Sequence, residues 1–146
     1  MLKALADSGA AAFTVTYLEK SRYTGRYLAA GHGTTFRNFQ VRRLLEAHYS
    51  YREPATNEIE LVFDRHSHSA SQLERFTRYL NENWNLPDFT TVTAVDSKYV
   101  EAIQVADVAL RLFAAQTLAG DPAYADLDLD FIRAWDVSVM PRTWRP

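Results

Sequence analysis

The sequence predicts an α/β protein in which strands and helices alternate. Three stretches carry this expectation. Ile59 to Phe63 (Ile-Glu-Leu-Val-Phe) is an apolar strand, and Thr90 to Val95 (Thr-Thr-Val-Thr-Ala-Val) is β-branched and alternating. A long apolar helix, about Tyr99 to Ala119, follows the second of these at once. Between the strands lies a second helical pattern with Leu73, Phe76, Tyr79 and Leu80 inward. A strand, a helix and a further strand in this order argue for a layered sheet with parallel pairs.

The chain has 146 residues, enough for one domain with a real core. Residues 121–146 read as a C-terminal helix and tail of that domain. The formal net charge is -2, so no global basic field draws nucleic acid; a nucleic-acid partner would need a local basic patch or metal-bridged phosphates. There is no cysteine, which excludes disulfides and thiolate metal sites. No apolar run of about twenty residues offers a membrane span, and the N-terminus lacks the pattern of a secretory signal. A cytoplasmic protein without a membrane partner is the expectation.

In chain order, Leu2 to Ser8 reads as a short helix with Gly9 at its C-cap, or as a short strand. Ala11 to Leu18 is a strand, since Phe13, Val15 and Tyr17 alternate with Thr14 and Thr16. Ser21 to Gly25 is a turn, and Arg26 to Ala30 a second strand or a loop. Thr34 or Thr35 is placed to cap a helix over about Phe36 to Ser50. Its basic residues Arg37, Arg42 and Arg43 offer phosphate contacts or simply a solvated face. Pro54 breaks the chain before the Ile59 strand. Ser69 or Ser71 can cap the helix running to about Trp84. Asp121-Pro122 fits the start of a last helix with its body over Ala123 to Trp135.

The Tyr99 helix carries Val100, Ile103, Val105, Val108, Leu110, Leu112 and Phe113, which predicts burial on more than one side. Gln104, Asp107 and Arg111 interrupt it at spacings of three and four and so form one polar stripe. A buried acid costs several kcal/mol unless a cation, a metal ion or a donor faces it. Two strands also end in acids, Asp64 and Asp96, and ligands of open α/β sheets bind at the carboxyl ends of strands. Convergence of Asp64, Asp96 and Asp107 would suit Mg²⁺ or Mn²⁺, which prefer oxygen ligands. Such ions catalyse phosphodiester cleavage by activating water and stabilising the leaving oxygen.

Each acid also has a plain structural role open to it. Asp96 or Ser97 can cap the following helix, Asp64 can be a solvated strand end, and Asp107 can pair with Arg111 one turn on. His66 and His68 after Asp64 form only an H-x-H pattern. Asp126, Asp128 and Asp130 lack the glycine and closing glutamate of a calcium loop. Neither a Gly-rich phosphate loop nor a G-x-S-x-G elbow is present.

Taken together, Ile-Glu-Leu-Val-Phe-Asp-Arg (Ile59 to Arg65), Val-Asp-Ser-Lys (Val95 to Lys98) and Ile-Gln-Val-Ala-Asp (Ile103 to Asp107) resemble the domain of unknown function 3800 family. The similarity runs from about Ala11 to Ala115. It implies a ribonuclease H-like mixed sheet flanked by helices, and membership of a group presumed to be metal-dependent nucleases. On that resemblance Asp64 and Asp107 are catalytic metal ligands, with Asp96 as a third carboxylate and Mg or Mn as the ion. Arg65 and Lys98 would contact the phosphate of a nucleic-acid substrate, and Gln104 would orient a carboxylate. Family members open with a strand bearing Asp-Glu-Ser-Gly, of which Ala6-Asp7-Ser8-Gly9 is a partial echo. Either Asp7 supplies the missing acid, or the first strand is absent, leaving a sheet edge for a second copy or a partner chain. The rival expectation is then a non-catalytic interaction or oligomerisation module.

Overall fold

The computed structural model describes residues 1–23, 25, 31, 33–54, 56–64, 69–83, 86–89, 91–96, 98 and 100–138. The elements run α1 (Leu2–Asp7), β1 (Phe13–Tyr17), α2 (Gly33–Tyr49), β2 (Glu60–Asp64), α3 (Ala70–Asn81), β3 (Thr91–Val95), α4 (Glu101–Phe113) and β4 (Ile132–Asp136). The architecture is α/β, as the alternation predicts. The predicted strand or loop at Arg26 to Ala30, the His66 and His68 pattern and residues 139–146 of the final tail fall outside the described residues.

The strands form two parallel pairs. β1 pairs with β4, with Phe13 opposite Ile132 and Tyr17 opposite Asp136. β2 pairs with β3, with Glu60 opposite Thr91 and Asp64 opposite Val95. Each pair has its own apolar cluster. Leu2, Phe13, Val15, Ala109, Phe113 and Ile132 are buried together between α1, α4 and the first pair. Phe76, Leu80, Leu86 and Phe89 are buried under the second, with Val41, Leu45, Leu61 and Phe63 packed against them. α2 and α4 tie the halves together. α2 lies on β1 and adds Val41 and Leu45 to the second cluster, while α4 lies across both β1 and β2.

Local chemistry explains most boundaries. Ser69 caps α3 in a full capping box: its Oγ accepts from Gln72 N, and Gln72 Oε1 accepts from Ser69 N at 2.9 Å. Gly9 (φ 74°) and Gly120 (φ 62°) take the left-handed backbone that turns the chain after α1 and after the helical run that continues α4. Thr34 and Thr35 do not cap α2; Gly33 already belongs to it, so both lie in its first turn.

Two expectations are corrected. The long helix keeps α geometry only to Phe113 and then widens into a π-helical turn over Ala114–Leu118. It also buries one stripe rather than several, because Val108 and Leu110 are exposed. The segment after Pro122 is no helix. It makes a single 3₁₀ turn, Pro122–Tyr124, and then β4. Asp128 accepts from Asp130 N at 3.2 Å, a local bond that competes with helix. Gln116 Nε2 clamps the irregular backbone by donating to the carbonyls of Tyr124 (2.9 Å) and Leu127 (2.7 Å).

Candidate functional site

The β2–β3 register makes neighbours of two predicted acids. Asp64 closes β2 opposite Val95, and Asp96 is the next residue beyond β3. Both therefore sit at the carboxyl end of the same parallel pair, where ligands of such sheets bind. Three contacts hold Lys98 beside them. Asp96 Oδ1 accepts from Lys98 N at 3.2 Å, and Asp96 Oδ2 lies 3.2 Å from Lys98 Nζ. From the first turn of α4, Gln104 Nε2 reaches six residues back to donate to the Lys98 carbonyl at 3.1 Å. Asp96, Lys98 and Gln104 thus form one unit. Through that bond Gln104 braces the loop backbone at Lys98.

Asp107 stands apart from the expectation that it is buried. Its carboxylate is about half exposed and meets Arg111 Nε at 2.9 Å, one turn on. The reason is the single buried stripe of α4: Val105, Ala109, Leu112 and Phe113 pack inward, and Asp107 falls on the opposite side. Among the described residues no three His, Asp or Glu side chains are gathered closely enough to hold a metal ion, and Asp64, Asp96 and Asp107 are not such a set. Asp64 and Asp96 are oxygen donors of the type a hard cation takes. A metal at Asp96 or Asp107 would have to displace Lys98 or Arg111 first. Arg65 lies outside the described residues.

A second polar cluster escaped the sequence reading. Thr14 Oγ1 lies 2.8 Å from His48 Nδ1 and is also hydrogen-bonded to the Tyr51 hydroxyl. Tyr51 stacks on Trp135 with ring centroids 5.4 Å apart, and Arg133 lies over the Tyr51 ring at 5.8 Å. Burial, and then the charge of Arg52, push the His48 pKa below its ordinary value, so the ring is neutral near pH 7. A neutral ring leaves two chains of donation open, Tyr51 to Thr14 to Nδ1 or the reverse, and either satisfies all three groups. The only sequence signal was the polar side of the β1 alternation, which required a face opposite Phe13 and Val15. A cleft of about 510 Å³ opens beside this cluster, lined in part by His48, Tyr51, Arg52 and Glu58. Another, of about 730 Å³, lies between the end of α4 and β4, lined in part by Phe113, Gln116, Leu129 and Arg133. Neither is lined by Asp64, Asp96 or Asp107.

At the carboxyl end of the β1–β4 pair, the Asp136 pKa is lowered from its ordinary value, first by hydrogen bonds to the Ser138 side chain and backbone. Arg22 Nη1 donates to Asp136 Oδ2 at 2.7 Å. Among the described residues no helix is long and apolar enough to cross a membrane. No protein-family model, no curated protein and no solved structure matches this chain.

Proposed function

We propose that this chain is a ribonuclease H-like domain of the metal-dependent nuclease type, carrying part of a carboxylate site for Mg²⁺ or Mn²⁺ and acting on the phosphodiesters of nucleic acid. The observation that supports it is the placement of Asp64 and Asp96 at adjacent strand ends, with Lys98 fastened beside them. An ion bound there would activate water and stabilise the leaving oxygen. The residues' own part would be to bind. Asp64 and Asp96 would supply oxygens, and Lys98, released from Asp96 when the metal takes over that carboxylate, would turn its ammonium to a substrate phosphate. Gln104 would keep the loop in place through the exchange.

The test is a Mn²⁺ titration by calorimetry on the wild type, Asp64→Asn, Asp96→Asn and Asp107→Asn. Binding that is lost in the first two variants supports the site, and loss in the third brings Asp107 into it. Absence of binding in the wild type removes this reading. A second reading then stands, a non-catalytic interaction or homo-oligomerisation module. It is favoured by the pairing of Asp96 with Lys98 and of Asp107 with Arg111, which leaves neither acid in need of a metal.

A further inference from the structure

We infer that the seam between α2 and α3 binds a phosphate group, with Arg42 as the fork that grips it and Arg75 as a second cation one turn away. The seam is in matching register on its two sides. Arg42 of α2 lies over the Tyr79 ring of α3 at 5.4 Å. Four residues further along each chain, Asn83 Nδ2 donates to Glu46 Oε1 at 2.9 Å. Side chains four apart on a helix are neighbours, so one turn back stand Asn38 on α2 and Arg75 on α3. Arg75 is exposed, and its Nε donates to the Ser71 carbonyl at 3.3 Å.

The charge balance of the seam calls for an anion. Glu46 serves two guanidiniums at once, Arg43 Nη1 at 2.9 Å and Arg42 Nε at 3.5 Å. Every Asp and Glu of the chain lies among the described residues, and Glu46 is the one that pairs with either arginine. The three side chains together therefore carry one net positive charge in partly dry surroundings, where an unbalanced charge is costly. Arg43 is too deeply buried to meet a ligand from outside, whereas the Arg42 side chain is 21% exposed. The Arg42 Nε–H makes no hydrogen bond, and among the described residues Nη1 and Nη2 have no polar partner. The rings of Phe39, at 5.5 Å, and Tyr79 hold the face of this guanidinium. That leaves its edge, where the N–H groups lie, for a ligand. A planar fork fixed in this way takes two oxygens of one oxyanion. A phosphate monoester, with a charge of about −1.5 to −2, balances Arg42 and Arg75 together, while a carboxylate balances only one of them. The inference uses none of the acids of the proposed metal site and holds with or without a metal there.

The experiment follows the arginine Nε–H groups and the backbone amides of α2 and α3 by NMR on the whole chain. Inorganic phosphate is added at constant ionic strength, with acetate as the control. The Arg42 signal shifts and saturates with phosphate and moves little with acetate. Arg42→Gln loses saturable binding. Arg42→Lys keeps the charge but not the fork, and weakens binding about fivefold or more. Arg75→Gln, at an exposed position, keeps the wild-type melting curve and weakens binding severalfold. A short single strand of thymidine nucleotides, used in place of phosphate, separates two sources of the group. Saturation at lower concentration than phosphate, lost in Arg42→Gln, assigns the seam to a nucleic-acid backbone; saturation no tighter than phosphate assigns it to a free or small-molecule phosphate. The inference is overturned if phosphate does not saturate the wild type, if acetate matches phosphate, or if Arg42→Gln binds phosphate like the wild type. Where Arg42→Gln does not fold, wild-type binding by Arg75→Gln overturns it instead.

Discussion

Among the described residues Arg43 and Glu46 are the two charged ones buried almost completely, 1% and 4% exposed. Arg43 Nη1 donates to Glu46 Oε2 at 2.9 Å, and Asn83 Nδ2 donates to Glu46 Oε1 at 2.9 Å. Arg43 also stands over the Phe39 ring at 5.1 Å. Removing the acid takes its carboxylate from a buried guanidinium, so Glu46→Ala should cost about 3–5 kcal/mol in a urea titration. Asp107→Asn breaks an exposed pair and should cost less than about 1 kcal/mol in the same titration. The contrast runs against the sequence, where Asp107 on an apolar helix looked like the acid in need of a partner and Arg43 read as a phosphate contact or part of a solvated face. His48 supplies a pH test. Its folded pKa is depressed, so its contribution to stability is present above the unfolded value of about 6.5 and is lost as pH falls below it. The melting temperature should decline from pH 7.5 to 5.5, and His48→Gln should flatten that decline; an unchanged slope in the variant would remove His48 as the cause.

At the scale of elements, legibility followed the strength of local signals. α3 was readable because Ser69 and Gln72 sit three apart ahead of an apolar stripe. Ser69→Ala removes the side-chain arm of that capping box and leaves the backbone arm in place. It should cost about 1 kcal/mol in chemical denaturation, while Ser71→Ala, one residue inside the helix, should cost less. β2 and β3 were readable from β-branched and apolar runs, and their register then placed Asp64 beside Asp96. β4 was not readable. Ile-Arg-Ala-Trp-Asp has a single strongly apolar inward residue, Ile132, and gains its strand identity from pairing with β1, more than a hundred residues earlier. Long-range pairing overrides local propensity here, and Asp121-Pro122 pointed to helix correctly for only one turn. The candidate site was legible to the same degree. Strand-end acids follow from strands, but the Gln104 to Lys98 contact and the Thr14, His48 and Tyr51 cluster depend on how helices are laid over sheets, which the sequence does not display.

The whole molecule is two apolar clusters joined by helices, with no strand pairing across the junction among the described residues. That arrangement sets how a change in one half is felt in the other. Ile132→Val trims the first cluster and should cost about 0.5–1.5 kcal/mol; Leu86→Ala opens a cavity in the second and should cost about 2–5 kcal/mol. Ile132 and Leu86 share no cluster neighbours, so in the free chain the two costs should add to within about 0.5 kcal/mol. Strong coupling would mean instead that α2 and α4, which touch both halves, transmit packing changes from one cluster to the other.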